Sequence, residues 1–287
     1  MRNALQGTTR VIGRLLVPVA AIAGCARAPA PPAVAPAPVL QESDGLIGTR
    51  ASYRAVADTV VTIARPGGDV TIRDRRTLRH EASGDFDAEV TRSHRGSEAG
   101  DTDESQRAIR VGRDYFTRGS GGPFVRWEDA RDEPDGAAAS VLQGTRDLLA
   151  IAERCGRVVE TGTTRIYALA NAACAVSSGP AGAPFTAAVT RLEGETKRDS
   201  GRLAALRLVV TLDLEADGRH APVTVEHSLT LSDTPPGEPV SAPDTVIPAR
   251  RDRPVVMARS ILGGLVDAWG PGAPEVLRKS PSPRPEP

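Results

Sequence analysis

Residues 206–231 constrain this chain most. Leu206, Leu208, Val210, Leu212 and Leu214 alternate with Arg207, Val209, Thr211, Asp213 and Glu215. After Asp217-Gly218, Val223, Val225, His227, Leu229 and Leu231 alternate with Thr224, Glu226, Ser228 and Thr230. A period of two puts every second side chain on the same side of an extended strand. Asp-Gly between two such runs is a tight hairpin turn. The two runs are therefore neighbouring antiparallel strands with one aliphatic face, which something else must cover.

The same period recurs. Phe86, Ala88 and Val90 alternate with Asp85, Asp87 and Glu89, and Tyr53, Ala55, Ala57, Thr59, Val61 and Ile63 form a softer series. Strand-like runs lie near 105–118, 123–129, 157–169 and 185–197. Turn residues separate them at Pro66-Gly67-Gly68, Gly119 to Gly122 and Asp199-Ser200-Gly201. Two segments follow a helical period instead. Over 137–154, Val141, Leu142, Thr145, Leu148, Leu149 and Ala152 share one stripe, with Gly156 placed to end the helix. Over 254–269, Ala258, Ile261, Leu262, Leu265 and Trp269 share another, with Pro254 suited to a first turn. The predicted fold is mainly β (α+β): a large curved antiparallel sheet with about two helices on its concave face. Aromatic residues make up only 3% of the chain, so that face is aliphatic.

The first 24 residues have the parts of an export signal. Arg2, Arg10 and Arg14 precede a short apolar run, Leu15 to Ala23, far below the ~20 residues of a spanning helix. The run ends in Ile22-Ala23-Gly24-Cys25, which resembles the lipobox of bacterial lipoproteins. That resemblance implies cleavage before Cys25 and lipid attachment to it, hence a membrane partner through the N-terminal lipid. Ala26 rather than Asp follows the Cys, which in a Gram-negative cell implies the outer membrane, with the domain on the periplasmic or extracellular side. Residues 25–44 then form a Pro/Ala-rich tether, 45–275 the β domain, and 276–287 a Pro-rich disordered tail. Charge is balanced at 36 basic and 36 acidic residues, so nothing points to a nucleic-acid partner. With Cys25 acylated, Cys155 and Cys174 remain. In an oxidising compartment this pair reads as one disulfide, with two buried thiols as the alternative. A metal site there lacks a second His or Cys at ligand spacing.

The lipobox, the meander and its inserted helix at 137–154 together resemble the LolA/LolB group and the mycobacterial LppX/LprG type of envelope lipid carrier. The segment Leu192 to Leu203, with a polar Asp199-Ser200-Gly201 corner before an aliphatic strand, is similar to the hairpins of that group. The resemblance implies an unclosed barrel around an apolar cavity for acyl chains. Its lining would be Leu206, Leu208, Val210, Leu212, Leu214, Val223, Val225, His227, Leu229 and Leu231. No position matches that group's arginine latch.

Other constellations carry less. Gly119-Ser120-Gly121-Gly122-Pro123 resembles the nucleophile loop of trypsin-like proteases, but Gly119 stands where that family has Asp; a hairpin link is the simpler reading. His227, in the apolar phase, is either a core histidine bonded to backbone or a polar handle for a ligand headgroup. Arg73, Arg75 and Arg79 share a strand face, either solvated or facing anionic headgroups. The acidic turn Glu128, Asp129, Asp132, Glu133 and Asp135 offers at most a loose cation site. No cofactor or metal motif is present. The expected function is non-enzymatic binding or carriage of a lipid or other hydrophobic ligand. The alternative is an envelope scaffold with a filled core. The oligomeric state is left open by the sequence.

Overall fold

Alternation in the sequence becomes register in the sheet. The computed structural model describes residues 50–65, 68–96, 100–129, 136–171, 173–177, 186–216, 219–234 and 239–249, all within one unit spanning Pro38–Pro287. The strands are β1 (Tyr53–Ile63), β2 (Val70–His80), β3 (Phe86–Arg95), β4 (Thr102–Val111), β5 (Asp114–Arg118), β6 (Phe124–Trp127), β7 (Gly156–Thr161), β8 (Thr164–Leu169), β9 (Ala175–Ser177), β10 (Thr186–Asp199), β11 (Arg202–Ala216), β12 (Arg219–Asp233) and β13 (Val246–Pro248). One helix among the described residues, α1 (Gly136–Cys155), separates β6 from β7. All thirteen strands belong to one sheet in the order β13-β6-β5-β4-β3-β2-β1-β12-β11-β10-β8-β7, with β9 beside β10. The end strands β7 and β13 are not paired with each other, so the sheet is unclosed.

The β11–β12 hairpin has the expected register: Leu206 faces Leu229, Leu208 faces His227 and Val210 faces Val225. The β10–β11 turn falls at Ser200-Gly201, both with positive φ (50° and 79°), the geometry that matches strand twist in a two-residue hairpin. The runs near 105–118 and 157–169 each divide into two strands. Gly112 and Gly162, at φ 57° and 58°, supply the left-handed residue each turn needs.

One expectation is corrected. The sheet is mixed, not wholly antiparallel, because β13 runs parallel to β6. The cause is the route of the chain after β12. Val240 packs with Ile109 and Phe116 on the outer face of β4 and β5, and its N–H donates to Glu81 Oε1 at 2.7 Å. The chain thus reaches β6 running in the same direction as that strand. For the same reason the outer face is not wet throughout.

Helix α1 covers the inner face. Val141, Leu142, Thr145, Leu148, Leu149 and Ala152 are all buried, as the stripe predicts, and α1 packs on β1, β2, β3, β7, β8, β10 and β12. Gly156 ends it for a reason other than a left-handed cap. A Cβ there would collide with the Ala152 carbonyl and come within 2.9 Å of Leu192 Cδ2. Cys155 and Cys174 form a disulfide, with Cα atoms 5.5 Å apart. The predicted second helix at 254–269, the leader at 1–24, the tether at 25–44 and the tail at 276–287 lie outside the described residues.

Candidate functional site

One row of paired residues crosses the inner face from an aliphatic end to an ionic one. It runs Tyr167 (β8), Gly194 (β10), Leu208 (β11), His227 (β12), Thr59 (β1), Asp74 (β2) and Arg92 (β3), each residue opposite the next. Gly194 is required there: any Cβ would strike the Arg207 carbonyl and the Leu208 side chain. To either side of the row the inner face is aliphatic. Val61, Val210 and Val225 lie on one side and Ala57, Leu206 and Leu229 on the other.

His227 sits at the centre of this row with both ring nitrogens engaged. Thr59 Oγ1 lies 2.9 Å from Nδ1, and Thr145 Oγ1, from α1, lies 2.8 Å from Nε2. A neutral imidazole donates from one nitrogen and accepts at the other, and a hydroxyl can answer either role. Burial lowers the His227 pKa to about 4, against an opposing pull from Asp74. The ring is therefore neutral at physiological pH. Its partners are side-chain hydroxyls, not the backbone expected of an ordinary core histidine.

The ionic end is equally built. Asp74 accepts from Arg76 Nε at 2.6 Å and from Arg92 Nη2 at 2.6 Å, and the Asp74 and Arg76 side chains are buried. Arg76 Nη1 continues to α1, donating to the Ser140 carbonyl at 3.3 Å and to its hydroxyl at 3.2 Å. Buried charges persist only when paired in this way. The helix is thus fastened to the sheet at two polar points, Thr145–His227 and Ser140–Arg76, within an otherwise apolar contact.

Sequence reasoning missed Asp74, Arg76 and Arg92. The signal was present: Val70, Ile72, Asp74, Arg76 and Leu78 are in phase, so Asp74 and Arg76 share the inward face. Arg73 and Arg75 do face outward and are exposed, while Arg79 is held by Glu81 at 3.1 Å.

Of the predicted lining, Leu206, Leu208, Val210, Leu212, Val223, Val225, His227, Leu229 and Leu231 all fall on the inner face, each 0–8% exposed. Leu214 keeps the register, opposite Ala187 and Ala221. Cys25 lies outside the described residues. Ser120 is tied to the neighbouring strand: its Oγ accepts from the Ser105 N–H at 2.7 Å and donates to the Ser105 carbonyl at 3.2 Å. Glu128 pairs with Arg126 at 3.4 Å, and the rest of that acidic turn beyond Asp129 lies outside the described residues. Among the described residues no helix is long and apolar enough to cross a membrane.

No family model matches the chain, and no curated protein matches it. Solved structures do. A LolA superfamily protein from Nitrosomonas europaea is 9% identical, covers 69% of this chain and 93% of its own length, with a TM-score of 0.24. A DUF1329 family protein from Desulfovibrio piger is 13% identical, covers 67% of this chain and 90% of its own, with a TM-score of 0.26. An S-type phycobiliprotein lyase from Guillardia theta is 8% identical, covers 69% and 94%, with a TM-score of 0.22. The fold is defined by its strand order and register.

Proposed function

We propose that this protein is an exported lipoprotein, anchored to the envelope through acylated Cys25, that binds or carries a lipid or other hydrophobic molecule without chemical conversion. The ligand lies between α1 and the inner face of β1, β2, β10, β11 and β12. One observation carries the reading. An aliphatic face spanning the five adjacent strands β2, β1, β12, β11 and β10 is covered by a single described helix, and that helix is fastened by polar contacts at Thr145 and Ser140 as well as by packing. Apolar contact alone suffices to hold a core helix; hydrogen bonds that a ligand can exchange suit a cover that moves. Export fits the Cys155–Cys174 disulfide, since such bonds persist in oxidising compartments.

A second reading has its own support. Leu208, Val210, Val223 and Val225 have no accessible surface at all, as in an envelope scaffold with a core packed to native density. A fluorescent fatty acid titrated into the full chain carrying Cys25→Ser separates the two. A carrier gives saturable binding near one molecule per chain. No saturable signal leaves the scaffold.

A further inference from the structure

We infer that the molecule carried on the inner face is an acyl ester or amide rather than a plain hydrocarbon, and that the His227 imidazole binds its carbonyl oxygen. This rests on the carrier reading above. The argument begins with which partner of His227 can leave. Thr59 is on β1, directly opposite His227 in the sheet, and stays beside Nδ1 wherever α1 goes. Thr145 is on α1 and is the partner of Nε2. A ligand entering between helix and sheet separates Thr145 from Nε2 and leaves that nitrogen facing hydrocarbon. Stranding a buried polar group costs about 1–3 kcal/mol. An alkane chain cannot repair this. An ester or amide carbonyl can, in the tautomer that carries its proton on Nε2: there the Thr59 hydroxyl donates to Nδ1, and Nε2–H donates to the carbonyl oxygen. No proton is transferred and no bond is broken.

The surroundings fit the same class. Val225 and Leu229 flank His227 on its own strand, and Leu208 lies opposite on β11, so acyl chains run over aliphatic surface on both sides of the polar centre. Arg76 repeats the logic. Its Nη1 donates to the Ser140 carbonyl of α1, so the closed structure already holds an amide oxygen where a second ligand carbonyl would sit.

The test compares two probes on the full chain with Cys25→Ser: a pyrene-labelled fatty-acid methyl ester and the pyrene-labelled alkane of matched length. The wild-type inner face is expected to bind the ester roughly fivefold more tightly. His227→Leu removes that preference, and His227→Gln, which still offers a donor, restores it. If His227→Leu does not fold, Thr145→Val serves instead. It leaves His227 on the sheet and removes only the helix's hydroxyl, so both probes bind more tightly while the ester preference persists. Loss of the preference in Thr145→Val overturns the inference. Equal affinity of wild type for the two probes also overturns it and leaves the carrier reading standing. Binding of neither probe removes the carrier reading as well.

Discussion

A histidine held between two threonines in an aliphatic face ties the stability of this protein to pH. The folded pKa of His227 is about 4 and the ordinary value is 6.5. Above 6.5 both folded and unfolded chains are neutral at this residue. As pH falls from about 6.5 to about 4 the unfolded chain takes up the proton and the folded one does not, so stability falls. The full loss, about 3 kcal/mol, is reached below about pH 4. Asp147, whose carboxyl is pushed up by burial, works in the opposite sense. The measurement is therefore a difference: denaturant melts of wild type and His227→Gln between pH 7 and pH 4, with the acid slope smaller in the variant. Asp74 gives a second test. Asp74→Ala leaves Arg76 buried without its carboxylate, and such losses cost about 3–5 kcal/mol. A loss under about 1 kcal/mol in a urea melt would contradict the pairing described. The inward phase of Asp74 was legible in the sequence. Its partnership was not, because Arg92 and Ser140 are 18 and 64 residues away from the residues they bind.

At the scale of elements, helix α1 is anchored unequally. Its C-terminal end runs straight into β7, is crosslinked through Cys155–Cys174, and accepts the Ala170 N–H at the Cys155 carbonyl. Its first half is fastened to the sheet by Arg76 and His227. The crosslink closes a separation of 19 residues, for which chain-entropy arguments give about 3 kcal/mol. Replacing both cysteines by alanine should lower the stability of the folded chain by that order, as read in thermal melts; an unchanged melting temperature would refute it. Gly156→Ala should cost about 1–3 kcal/mol, because the added methyl meets the Ala152 carbonyl and Leu192. The long elements were legible: β11, β12 and α1 each carry many repeats of one period. β13 was not, since three residues, Val246-Ile247-Pro248, show no period and owe their place to the route taken past Glu81 and Val240. The breaks at Gly112 and Gly162 were missed because one glycine in a strand-like run marks a turn only once φ is known.

At the scale of the whole molecule, an unclosed sheet with one aliphatic face and a pinned helix has a choice between two uses of the same surface. As a scaffold it spends that face on permanent packing. As a carrier it shares the face between α1 and a guest. Leu208, fully buried beside His227 in the row, responds differently in the two cases. In a permanent core Leu208→Ala leaves a cavity and costs roughly 3–5 kcal/mol. If α1 settles onto the sheet without its guest, the site collapses more readily and the cost falls toward the transfer term of about 2 kcal/mol. The central claim is that this surface holds a hydrophobic guest in the cell. The most direct measurement is mass spectrometry of an organic-solvent extract from the full chain with Cys25→Ser, purified without detergent. An acyl lipid near one molecule per chain is expected, and an extract without stoichiometric lipid would rule the guest out.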